Sequence, residues 1–224
     1  MIILGLTGSI GMGKSTAAKM FRRMGVPVYD SDASVHIVLG KCGAAVKPIN
    51  AAFPGVVLDG AVDRDALSKR VFGDEAALKA LESIVHPLVR QVQDNFLKRC
   101  AIRRVPMVVL DIPLLFETEL DVRCDVSVVV SAPGFLQAAR VLARPSMTQE
   151  KFDGILARQI SDTVKRRRAD HIVPSGCGKA ETLRHLSRIM RLIKKMPATN
   201  WPPDAYAERT AHRRSTHART RPRY

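Results

Sequence analysis

Residues 8–15 read Gly-Ser-Ile-Gly-Met-Gly-Lys-Ser, which fits the spacing G-x-x-x-x-G-K-S/T. That spacing suits one task. Backbone N–H groups converge on phosphate oxygens only where residues tolerate positive φ and close approach, and glycine does both at low cost. A lysine directly after the last glycine can reach the β and γ phosphates of a nucleotide, and the hydroxyl that comes next can ligate magnesium. Gly8, Gly11, Met12, Gly13, Lys14, Ser15 and Thr16 are therefore the candidate nucleotide contacts, with Ser15 the candidate magnesium ligand and Thr16 set against the α phosphate. A plain glycine-rich turn with a solvated lysine would need none of the flanking pattern. Here an apolar run at 2–6 precedes the loop, and Ala17, Ala18, Phe21 and Met24 come after it at helical spacing.

Asp30-Ser31-Asp32 closes a second short apolar run at 26–30. In an open α/β sheet ligands bind beyond the carboxyl ends of the strands, so these carboxylates face a phosphate site. Phosphoryl transfer to a hydroxyl requires that the hydroxyl lose its proton, which makes Asp32 a candidate base. A helix N-cap is the plain alternative for Asp32. Asp111 ends a valine-rich run and is a candidate partner for magnesium, while residues 113–116 suit an apolar wall that includes Leu114. Glu117 can orient a substrate or cap the next element.

The elements that must position these groups alternate. Strand-like runs at 2–6, 26–30, 106–110 and 125–130, with a last one at 171–173, are separated by helical stretches, which implies a parallel sheet. Between the second run and Pro106 the pattern is helical, notably at 64–72 and 75–100, and too long for a plain crossover. It reads as a helical insertion that covers a substrate. Residues 135–143 and 148–163 read as two helices parted around Pro145, carrying Arg140, Arg144 and Arg158 in an arginine-bearing flap. A final helix spans 181–195, and the arginine-rich, proline-bearing end from 197 lacks any apolar period and reads as disordered.

A chain of 224 residues with 46% hydrophobic content can bury one substantial core. No apolar run approaches the ~20 residues that cross a bilayer, so a cytoplasmic protein without a membrane partner is expected. The four cysteines are scattered and form no C-x-x-C pair, which argues for free thiols. Net charge is +15; the end from 197 holds six arginines against two acids, so +11 remains on the body. Such charge invites anions, yet 5% aromatic content, with Trp201 alone among tryptophans, leaves little for stacking bases, and no nucleic-acid partner is expected.

The ordered blocks G-S-I-G-M-G-K-S-T, D-S-D, His86-Pro87-Leu88 and Pro113-Leu114-Leu115-Phe116-Glu117 resemble the dephospho-CoA kinase family. Gln137, Arg140 and Arg144 match its Q-x-x-R-x-x-x-R stretch, and Gln159 and Ala169-Asp170 match later positions of the family pattern; the likeness spans nearly all of residues 1–195. The resemblance implies an α/β P-loop NTPase three-layer fold, nucleoside-monophosphate-kinase-like, with a core at 1–32, 105–133 and 164–196. It further implies a helical CoA-binding insertion at about 33–104, a helical lid at about 134–163 and a basic tail at 197–224. The implied reaction is magnesium- and ATP-dependent phosphorylation of the ribose 3′-hydroxyl of dephospho-CoA, by a monomer or small homo-oligomer. Asp32 is then the base, Lys14 and Arg140 catalytic, and Arg140 and Arg144 nucleotide contacts, Arg140 as a cationic fork against the transferred phosphoryl group. His86 and Arg90 would hold phosphates of the acceptor, with Asp32, Leu114 and Glu117 also on the substrate side. Pro145-Ser146 and Val173-Pro174-Ser175 depart from the family pattern. Competing readings are another small P-loop kinase, acting on a nucleoside monophosphate, shikimate or gluconate, and, in another class, a nucleic-acid-binding ATPase.

Overall fold

Valine and isoleucine runs form the centre of a five-stranded sheet in a computed structural model that describes residues 1–202. The strands are β1 (Ile2–Thr7), β2 (Val28–Asp30), β5 (Met107–Asp111), β6 (Val126–Ser131) and β7 (His171–Pro174), and they lie in the order β2-β5-β1-β6-β7. β1 pairs in parallel with β5 and β6, and β6 with β7. Every residue of β1, β5 and β6 is buried. Strands covered on both faces lack an alternating pattern, which explains the unbroken aliphatic runs.

Two compact units divide the chain, one made of Met1–Tyr29 with the chain from Arg103 onward, the other of Asp30–Ile102. In the first, α1 (Lys14–Arg23) and α9 (Lys179–Ile193) supply Ala17, Phe21, Leu186 and Ile193 to a core shared with Leu4, Val109, Val128 and Val173. α6 (Gly134–Leu142), α7 (Gln149–Ala157) and α8 (Asp162–Arg168) lie between β6 and β7. The sequence pattern predicts one helix across 148–163, but two form. Ile160 N–H donates to Glu117 Oε1 at 3.0 Å, and Ser161 caps a new helix by accepting from Val164 N–H. A bond to a residue 43 positions away thus overrides local periodicity.

The second unit holds α2 (Ser31–Leu39), α3 (Val46–Ala52), a hairpin of β3 (Val57–Leu58) and β4 (Ala61–Val62), α4 (Arg64–Val71) and α5 (Glu75–Ile102). Its core joins Val38, Ile49, Phe53 and Leu67 to Leu81, Ile84, Leu88 and Val92, which recur down α5 at helical spacing. α5 runs through Pro87 without ending. The hairpin turns on Asp59 and Gly60, both at positive φ, the Asp-Gly signature of a tight turn.

Residues 203–224, which carry most of the basic end, lie outside the described residues. Residues 197–202 are described and make contacts: Asp125 Oδ1 accepts from Thr199 N–H, Thr199 Oγ1 and Asn200 N–H, while its Oδ2 accepts from Ile3 N–H at 2.7 Å. Among the described residues no helix is long and apolar enough to cross a membrane.

Candidate active site

The loop between β1 and α1 is shaped by its glycines. Gly13, the N-cap of α1, sits at φ 90°, ψ 13°, and no side chain caps the helix or puts an acid in its first turn. The positive end of the helix dipole is thus left facing the loop, as an anion site requires. A Cβ at Gly13 would lie 3.1 Å from Ser175 Oγ, and one at Gly11 (φ 77°) would lie 2.5 Å from Val141 Cγ2. Backbone angle demands glycine at both positions, and at Gly11 the lack of space demands it as well.

Lys14 Nζ lies 2.7 Å from Asp111 Oδ1, at the carboxyl end of β5, and Asp111 is only 4% exposed. A buried carboxylate thereby fixes the ammonium beside the loop. Ser15 is exposed and Thr16 half-buried in the first turn of α1. Asp111, the candidate magnesium partner, is in this structure the partner of Lys14. Among the described residues no three His, Cys, Asp or Glu side chains gather as a metal cage.

Side chains surround the loop from outside. Gln137 Nε2 of α6 donates to Ile10 C=O at 2.7 Å, and Ile10 N–H donates to Gln159 Oε1 at 3.2 Å. Arg140 donates to Gly11 C=O at 3.3 Å, to Ser175 Oγ at 3.2 Å and to Ser175 C=O at 2.8 Å. Ser175 Oγ in turn donates to Met12 C=O at 2.7 Å. Arg140 thus stands at the rim of the loop; Arg144, past the end of α6, is exposed.

Glu117 reaches inward. Its Oε1 lies 2.8 Å from Lys165 Nζ and accepts from Ile160 N–H, while Oε2 is buried without a hydrogen-bond partner. Lys165, whose side chain is wholly buried, also donates to Pro113 C=O, as does Thr7 Oγ1 at the end of β1. Leu114 is 38% exposed, whereas Leu115 and Phe116 are buried. The Ala169-Asp170 block holds register: Asp170 Oδ2 accepts from Ser127 N–H and Oγ, tying β7 to β6. Burial pushes the Cys124 thiol well above its ordinary range, with Asp121 and Asp125 adding to the rise.

In the second unit Asp30, not Asp32, is the N-cap of α2; its Oδ1 accepts from Ala33 N–H at 3.0 Å. Asp32 is exposed in the first turn, its carboxylate free of the capping role that the sequence left open. His86 and Arg90 are exposed one turn apart on α5, where with Asp94 and Lys98 they line an open groove of about 430 Å³.

Sequence reasoning missed Ser175 and Lys165. Ser175 stood out only as a departure from a motif. Lys165 opens a run of four cations in which nothing sets it apart, yet one residue in three or four on any packed helix turns inward.

A family model for dephospho-CoA kinase matches residues 2–180. A dephospho-CoA kinase of Paramagnetospirillum magneticum is 64% identical over 166 residues, covering 74% of this chain and 78% of that protein. One from Rhodospirillum rubrum is 55% identical over 186 residues, covering 83% and 88%. Among solved structures, that of TT1252 from Thermus thermophilus aligns with a TM-score of 0.77 at 35% identity over 88% of this chain and 98% of that one. A dephospho-CoA kinase from Campylobacter jejuni shares the fold, with a TM-score of 0.64 at 23% identity over 86% and 97%.

Proposed function

This chain belongs to the dephospho-CoA kinase family, whose reaction is the final step of coenzyme A biosynthesis, and from that premise we propose how its own residues phosphorylate dephospho-CoA with ATP. The observation that carries the reading is the left-handed Gly13 opening α1 beside a lysine held by buried Asp111. Loop amides of residues 8–15 other than that of Ile10, which Gln159 holds, grip the β and γ phosphates, with Gly8, Gly11, Met12 and Gly13 forming the turn. Thr16 meets the α phosphate and Lys14 bridges β and γ.

Magnesium fits an all-oxygen donor set of the Ser15 hydroxyl and phosphate oxygens, since this ion keeps water and phosphate ligands rather than needing a protein cage, and it would neutralise charge on the phosphates. The ribose 3′-hydroxyl of the acceptor gives its proton to the Asp32 carboxylate as its oxygen bonds to the γ phosphorus. The bond from that phosphorus to the β–γ bridging oxygen breaks, and ADP leaves with the electron pair. Arg140 exchanges its carbonyl partners for the equatorial oxygens of the transferred group, with Arg144 a further contact to the nucleotide. His86 and Arg90 hold acceptor phosphates, in keeping with their place on the open groove of α5, while Leu114 lines the acceptor and Glu117 serves that side by fixing the 113–117 segment. Residues 33–104 act as the acceptor domain and 134–163 as the lid.

The test is Asp32→Asn assayed with magnesium, ATP and dephospho-CoA, with phosphorus NMR locating the new ester. Turnover is expected to fall about 100-fold or more, ATP affinity to hold, and the parent product to carry its phosphate on the 3′ oxygen. Parent-like turnover in the variant removes Asp32 from the role of base.

A further inference from the structure

A ring of amide N–H groups can face an anion only if the carbonyls of the same peptide chain are turned away from it, and a carbonyl so turned into protein must find a donor there. Three consecutive carbonyls of the phosphate loop have found one, each from a different side chain. Ile10 C=O takes Gln137 Nε2, Gly11 C=O takes Arg140, and Met12 C=O takes Ser175 Oγ. Ile10 N–H, which would otherwise be available to the anion, is drawn outward by Gln159 Oε1. Gln137 and Ser175 are each more than nine-tenths buried.

We propose that Gln137, Gln159 and Ser175 are positioning residues that hold the outer side of the phosphate loop, so that its inward amides are set before ATP arrives. Arg140 shares the task but is already assigned to the transfer. The geometry adds a coupling. Gln137 lies in α6 and Gln159 just past α7, so the chain between them leaves and returns at Ile10. Displacing either limb pulls on the same residue of the loop, and the helical pair 138–158 reports its position to the phosphate site through the two glutamines.

Ser175 packs closely against Gly13, whose left-handed backbone already favours glycine. Its oxygen would stand 3.1 Å from a Cβ there, and it accepts from Arg140 while donating to Met12 C=O. A hydroxyl, which can donate and accept at once, satisfies both neighbours. Ser175 therefore has a definite place in this chain.

The proposal rests on the reading that this loop binds ATP, and its test separates the two. Gln137→Met, Gln159→Met and Ser175→Ala remove hydrogen bonds with little change of volume. Steady-state constants are measured for ATP and for dephospho-CoA, together with melting temperature and the shift that saturating ATP gives it. Each variant is expected to raise KM for ATP by about 3- to 10-fold, the worth of one hydrogen bond, with kcat and KM for dephospho-CoA within about twofold of the parent. The ATP-induced thermal shift shrinks in step. An unchanged KM for ATP overturns the proposal, whether the variant melts normally or has lost stability and kcat through a merely structural defect. Gln159, less buried than the other two, keeps the experiment decisive if Gln137→Met does not fold. Should the parent itself fail to transfer phosphate from ATP, the functional reading falls instead.

Discussion

Replacing Lys165 by methionine isolates the physics of the buried pair behind the phosphate loop. Lys165 Nζ and Glu117 Oε1 are 2.8 Å apart, with side-chain exposures of 0% and 13%. At an effective dielectric near 20 they attract by about 6 kcal/mol, and desolvating each ion costs several kcal/mol, so the intact pair comes close to breaking even. Removing only the ammonium is different: it leaves a carboxylate that already has one buried oxygen without a hydrogen-bond partner. Lys165→Met is therefore expected to cost about 3–5 kcal/mol, a fall of about 6–20 °C in melting temperature for a chain of this size. Glu117→Gln in the same chain should restore much of that loss. It removes the stranded charge yet keeps an acceptor for Ile160 N–H, and Pro113 C=O keeps the Thr7 hydroxyl. Urea denaturation followed by circular dichroism on parent, both single variants and the double variant gives the coupling directly. A coupling of about 2 kcal/mol or more is expected; additive losses, or a Lys165→Met variant within about 1 kcal/mol of the parent, would refute the reasoning.

Lys14 and the four cysteines give two further expected outcomes. Lys14→Ala should lower turnover by about 100-fold or more in a steady-state assay, because the charge that Asp111 holds beside the phosphates is gone; unchanged kinetics would remove Lys14 from the mechanism. A coloured disulfide reagent at a pH of about 8 should modify Cys42 and Cys177 quickly, while Cys100 and Cys124 react only on unfolding. The sign is set by burial, which raises the Cys124 thiol so that almost none is thiolate at that pH; rapid labelling of Cys124 in the native protein would contradict it.

How much could be read in advance depended on whether the cause was local. Gly11 and Gly13 are needed for backbone reasons that a spacing pattern records, and the aliphatic runs of β1 and β6 announce burial on both faces. The register of α5 was also legible, since its apolar positions repeat over many turns. Short-range chemistry was harder where several residues compete: Asp30, Ser31 and Asp32 can each cap a helix, and only the backbone decides for Asp30. The β3–β4 hairpin carried the Asp-Gly signal between Val57-Leu58 and Ala61-Val62, but strands of two residues are too short to show an alternating period. Long-range partners were invisible. The break before α8 depends on Glu117, the burial of Lys165 on the same carboxylate, and the place of Ser175 on the carbonyl of Met12.

The Asp125 carboxylate joins the amino end of β1 to Thr199 and Asn200. The phosphate loop grows from the opposite, carboxyl end of that strand. Thr199 and Asn200 therefore brace the foot of the sheet, at the pole opposite the loop of residues 8–15.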